Sequence, residues 1–167
     1  DIVRMQMVGG APASLVAEGE GAARINYLKG NDRSHWQRGV PTYSRVRATG
    51  AYPGVDVVYY GVDGGMRQLE YDFVVQPGAD PSVIRLRYDG IEAAELRSDG
   101  SLSLRTRRGG FDQPPPVVYQ EQPDGTREPV SGGYVVGGGR EVSFSIGAYD
   151  RSRALVIDPR LIYSTYL

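Results

Sequence analysis

Val55-Asp56-Val57-Val58-Tyr59-Tyr60, followed after Gly61-Val62-Asp63-Gly64-Gly65 by Met66-Arg67-Gln68-Leu69-Glu70-Tyr71-Asp72-Phe73-Val74-Val75-Gln76, decides how this chain folds. Apolar and polar residues alternate with a period of two on both sides of a glycine-rich break, the pattern of two half-buried strands joined as a hairpin. With 61–65 as the loop, Tyr60 faces Met66, Val58 faces Gln68 and Asp56 faces Glu70. One face then carries Val55, Val57, Tyr59, Leu69, Tyr71, Phe73 and Val75, and each such side chain contributes roughly 1.5–3 kcal/mol when fully buried. This hairpin is the expected centre of the fold.

The same alternation recurs outward from it. Ile84, Leu86 and Tyr88 alternate with Val83, Arg85 and Arg87, and Val142, Phe144 and Ile146 alternate with Ser143 and Ser145. Further strands are expected at 2–8, 43–48, 130–136 and 154–163. Asp99-Gly100 and Asp124-Gly125 readily take the positive φ angles of tight turns. Residues 9–22, rich in Gly and Ala, and 30–42, which hold the only Trp and the only His, read as less regular. Pro114-Pro115-Pro116 forms a stiff extended segment without amide donors, best suited to a crossover between sheets. Gly137-Gly138-Gly139 reads as a hairpin loop.

With 23 glycines and 11 prolines, no stretch free of both exceeds 11 residues, which excludes a helical bundle. The expectation is an all-β, mainly antiparallel β-sandwich of about ten to twelve short strands, a single domain over 1–167, with a division into two subdomains near residue 90 as the variant. Ends rich in strand-forming residues, 2–8 and 160–167, are expected to pair within the domain or with another subunit. Strand addition between copies would satisfy open sheet edges and could build a filament.

Nineteen basic residues against 20 acidic ones leave a formal charge of −1, so no net field favours nucleic acid or an anionic membrane. All the cations but Lys29 are arginine, whose planar fork suits pairing with carboxylates on strand faces. No cysteine is present, which removes disulfides, thiolate zinc sites and cysteine nucleophiles. No run of 18 apolar residues could form a membrane-crossing helix. The chain opens on Asp1, and a removed leader or a trimmed start is expected.

Chemistry is sparse. His35 is the sole imidazole, and no Gly-x-Ser-x-Gly elbow accompanies it. Beside Trp36 it could line a cleft, but an ordinary hydrogen-bonded loop histidine is the plainer reading. The Gly-x-x-x-x-Gly-Lys phosphate loop is absent. Asp56, Glu70 and Asp72 fall on the hairpin face opposite the core and need a compensating cation. Calcium would serve, but arginine is preferred because no loop matches a calcium-binding pattern. Glycoside hydrolysis by paired carboxylates would need a cleft that strand faces seldom provide. The Arg85/Arg87 pair, like Arg45/Arg47, projects from one side of its strand, and alignment of two such pairs would make an anion-binding stripe. Among the 12 tyrosines, Tyr43 and Tyr60, with Trp36, could serve as platforms for sugar rings. The candidate binding set is therefore Trp36, Tyr43, Tyr60, Arg85 and Arg87, with a glycan or polyanion as ligand, and no cofactor and no catalytic residue are expected.

One family resemblance is carried by ordered blocks. Asn26-Tyr27, Gly30-Asn31-Asp32, Trp36, Val40-Pro41-Thr42-Tyr43 and Tyr52-Pro53-Gly54-Val55-Asp56-Val57-Val58-Tyr59-Tyr60-Gly61 come first. Leu69 to Val75 with Pro77-Gly78-Ala79-Asp80-Pro81 follow, and then Gly147-Ala148-Tyr149-Asp150, Leu155-Val156-Ile157-Asp158-Pro159 and Tyr163-Ser164-Thr165-Tyr166-Leu167. Together, over roughly 24–167, they resemble the domain that precedes SBBP-type β-propeller repeats in bacterial exported proteins. That resemblance implies secretion or cell-surface display, brings no catalytic residues, and points to a structural or adhesive role beside partner β modules. The loop at 61–65 departs from the tight link usual before Gln-Leu-Glu-Tyr-Asp-Phe, and no propeller blade lies within the chain.

Overall fold

The computed structural model describes residues 2–11, 13–63 and 67–160. Among them are 14 strands: β1 (Arg4–Met7), β2 (Ser14–Tyr27), β3 (Gln37–Tyr52), β4 (Val55–Asp63), β5 (Arg67–Val75), β6 (Leu86–Asp89), β7 (Ala93–Leu96), β8 (Leu102–Thr106), β9 (Gly109–Gln113), β10 (Val117–Glu121), β11 (Arg127–Pro129), β12 (Gly132–Val136), β13 (Glu141–Ile146) and β14 (Leu155–Asp158). No helix among the described residues is long and apolar enough to cross a membrane. Among the described residues three short 3-10 turns interrupt the strands, at Arg33–His35, Pro81–Val83 and Gly138–Arg140. Every registered pairing is antiparallel, so the expected all-β antiparallel class is what the chain adopts.

Three sheets result, ordered β1-β6-β13-β12, β11-β10-β14-β5-β4-β3-β2 and β7-β8-β9. The first two face each other. Phe73 of β5 meets Phe144 of β13 edge-on with centroids 5.9 Å apart, and Tyr71 donates its hydroxyl to Met5 Sδ at 3.1 Å. Tyr52 Oη donates to the Arg85 carbonyl at 2.7 Å, tying β3 to the start of β6. The third sheet sends Leu102 and Leu104 into the same core, and Ile91, on the β6–β7 link, joins them. Core residues thus come from both sides of residue 90. Pro114-Pro115-Pro116 carries the chain from β9 in the third sheet to β10 in the seven-stranded one, the crossover expected of it.

The central hairpin is present, with its register corrected. Tyr60 pairs with Glu70, Val58 with Asp72 and Asp56 with Val74, and the ladder runs on to Asp63↔Arg67. Gly61–Asp63 are therefore strand rather than loop, and the pairing is offset by four residues from the expected one. An even offset preserves the faces. Val55, Val57, Tyr71, Phe73 and Val75 are buried and Tyr59 is half-buried, as alternation requires, but Leu69 is 61% exposed because it lies beyond the part of the sheet that is covered. The part of the expected hairpin that falls on 64–66, and of the expected C-terminal strand that falls on 161–163, lies outside the described residues. So does the expected pairing of 161–167, whereas β1 at the other end pairs with β6 inside the domain.

The main departure is β2 and β3. Residues expected to be irregular form two long strands, an arm that runs on past the last β3–β4 pair, Arg45↔Tyr60. Nearly all of β2 is exposed on both faces.

Candidate functional site

The outer face of the seven-stranded sheet collects most of the polar residues singled out above. Asp56, Val58 and Tyr60 project from it on β4, Glu70 and Asp72 on β5, and alternation puts Tyr43, Arg45 and Arg47 of β3 there too. The three carboxylates share the face, but each has its own local environment. Asp56 Oδ1 accepts from the Gly50 amide at 2.9 Å. Its Oδ2 accepts from Gln76 Nε2 at 3.0 Å and from Arg47 Nη1 at 3.4 Å. Gly50 holds φ +71 at the register shift between β3 and β4, so Asp56 braces that irregularity. Arg47 also donates to Glu18 of β2 at 2.6 Å, linking three strands. Among the described residues no group of three His, Asp or Glu side chains could hold a metal ion.

Asp72 is different. Tyr60 donates its hydroxyl to Asp72 Oδ1 at 2.9 Å, and Asp158, one step beyond the Ile157↔Phe73 pair, comes alongside on β14. Burial, reinforced by Asp158 and Glu70, pushes the Asp72 carboxyl up to about 6 against the opposing pull of Tyr60 and Arg127. Burial and Asp72 together push the Tyr60 phenol upward. Beyond β14, the Arg127 guanidinium lies over the Tyr119 ring at 4.3 Å.

The remaining candidates lie elsewhere. Trp36 sits at the arm tip with two guanidiniums over its ring, Arg33 at 5.4 Å and Arg38 at 5.3 Å from its centroid, and donates Nε1–H to the Gly30 carbonyl. His35 Nδ1 approaches Asp32 at 3.6 Å in the same turn. Arg85 and Arg87 project from the outer face of the four-stranded sheet, where Glu141 is the neighbour across from Arg87. The five binding candidates therefore occupy three separate places: Trp36 alone, Tyr43 with Tyr60 on one face, and Arg85 with Arg87 on another.

Features without a sequence signal are the exposed edge of β2 and an arginine cleft. Leu15 is 71% and Val16 46% exposed on opposite faces of β2, which among the described residues is hydrogen-bonded only to β3. Ile2, Gly90, Ile91, Glu92, Arg107 and Arg140 line an open cleft of about 580 Å³. These residues come from four separate stretches, so only the folded chain brings them together.

Antiparallel sheets packed face to face, with individually held surface charges, an arm and, among the described strands, an unpaired edge on β2, place this chain among all-β domains. Residues 1–160 match the family described as a domain of unknown function, DUF7948, and the chain belongs to that family. Comparison with curated proteins and with solved structures finds no match.

Proposed function

We propose that this chain is a non-catalytic structural or adhesive β domain of the bacterial exterior, which presents or packs against partner β modules by accepting a strand along β2. The observation that carries the reading is the 14-residue edge of β2, unpaired on its outer side by any described strand, with Leu15 and Val16 exposed. A strand laid along Ser14–Ala17 would satisfy the outward N–H and C=O groups and cover both side chains. Glu18, Glu20 and the register shift between Glu20 and Arg24 oppose pairing farther along, which confines the contact to the first half of the strand. The resemblance to domains that precede SBBP-type propeller repeats supports a surface setting and β-rich neighbours.

Sedimentation velocity over a wide concentration range tests this. Association of the wild-type chain, lost in the Leu15→Lys/Val16→Lys double variant, is the expected result. A wild-type chain that stays monomeric throughout, indistinguishable from the double variant, would overturn it. A glycan or polyanion ligand is the second reading, favoured by the arginine cleft.

A further inference from the structure

The arginine cleft is built by close approach. Gly90 ends β6 with φ +89, and any Cβ there would collide with the Ile2 carbonyl, so only glycine lets the β6–β7 corner lie against the start of the chain. Buried Ile91 and 86%-exposed Ile2 give the cleft an apolar wall. Arg107, from the β8–β9 turn, reaches Glu92 at 3.6 Å, a loose pair with both side chains largely exposed. Arg140 enters from the β12–β13 connection and makes no ion pair with any described residue. Its backbone is held at φ +70, left-handed geometry that a side chain bearing a Cβ adopts only at a cost.

Two guanidiniums therefore face one carboxylate in a chain whose net charge is −1. A neighbouring cleft on the third sheet differs, since its Arg97 and Arg105 are engaged by Asp112 at 3.1 Å and Glu95 at 2.5 Å. A strained, unpaired cation beside a second, loosely held one has no structural use evident in the fold. It has a clear use in binding, because planar guanidinium forks take carboxylate or sulfate oxygens with strong, charge-assisted hydrogen bonds. We propose that the cleft binds the carboxylate or sulfate of an acidic sugar, with Arg107 and Arg140 as its cationic arms, Glu92 as a hydroxyl acceptor and Ile2 and Ile91 against the ring carbons. This site does not depend on strand addition at β2.

The test is an NMR titration of the whole chain with glucuronate, a sulfated disaccharide, a neutral disaccharide and inorganic sulfate. Saturable shifts at Gly90, Glu92 and Arg140 with the two acidic sugars, and none with the neutral one, are expected. Arg140→Gly should weaken that binding about tenfold while raising Tm, since glycine takes a positive φ without strain. Arg107→Gln should also weaken it, and Arg85→Gln, on the outer face of the four-stranded sheet, should not. No saturable shift at this corner, or full affinity retained in Arg140→Gly, would overturn the site. Equal affinity for inorganic sulfate and the sugars would overturn the sugar and leave a simple oxyanion site.

Discussion

Tyr60 and Asp72 are joined across the β4–β5 pair by a 2.9 Å hydrogen bond on the outer face of the seven-stranded sheet, and Asp72 is the described carboxyl pushed up to about 6. A carboxyl raised above its unfolded value of about 3.9 binds its proton more tightly in the folded state. Its favourable contribution is complete below pH of about 4 and is lost as pH rises through about 6.

Asp32, Asp80, Asp99, Asp124 and Asp150 act in the opposite sense. Each accepts hydrogen bonds from the amide and the hydroxyl of a Ser or Thr two residues on, which lowers its carboxyl below the usual range. Their contribution is present above the unfolded value and falls away in acid. Stability should therefore peak between pH of about 4 and about 6. Asp72→Asn, which still accepts from Tyr60, should raise stability at neutral pH by about 1 kcal/mol, allowing for solvent screening. Urea denaturation at several pH values measures this, and an unchanged fall toward neutral pH in Asp72→Asn would contradict it.

Gln113 is fully buried; its Oε1 accepts from Tyr88 Oη at 3.2 Å and its Nε2 has no partner among the described residues. An unsatisfied buried donor is costly, whereas an apolar side chain of similar volume is not. Gln113→Met should come within about 1 kcal/mol of wild type, and Gln113→Ala, which leaves a cavity, should lose about 2–4 kcal/mol. Equal losses on chemical denaturation would show that the amide, not the volume, matters.

Gly50 and Gly90 both hold positive φ, but only Gly90 lacks room for a Cβ. Gly50→Ala should cost about 1 kcal/mol of backbone strain. Gly90→Ala should cost distinctly more and should loosen β1, seen as faster amide exchange at Arg4–Met7. Thermal melts of the two variants that coincide would argue against the close approach at Ile2.

Much of this was legible in the sequence. Valines 55, 57 and 75 with Phe73 reach the core because the two faces of β4 and β5 differ in polarity, and that contrast is what periodicity reads. β2 carries no such contrast: with both faces in solvent, Glu18, Gly19, Glu20 and Gly21 have no buried side to mark, and β3 is its one partner among the described strands. Gly61 resembled a breaker yet continues the ladder, which moved the register by four. The arginine cleft depends on residues 2, 90, 107 and 140 meeting in space, and no local pattern records that.

Trp36 lies on the arm tip, away from the core. Trp36→Ala should therefore change global stability by less than about 1 kcal/mol. Its fluorescence should also follow a different transition from the far-ultraviolet dichroism of the sandwich. Coincident transitions with a large loss in the variant would mean that the arm folds as part of the core.

Amide hydrogen exchange along β2, followed as protein concentration rises, tests strand addition most directly. Alternate amides within Ser14–Ala17, those facing away from β3, should gain protection with concentration while Arg4–Met7 stays unchanged. Exchange at Ser14–Ala17 that is the same at every concentration would contradict an edge built to receive a partner strand.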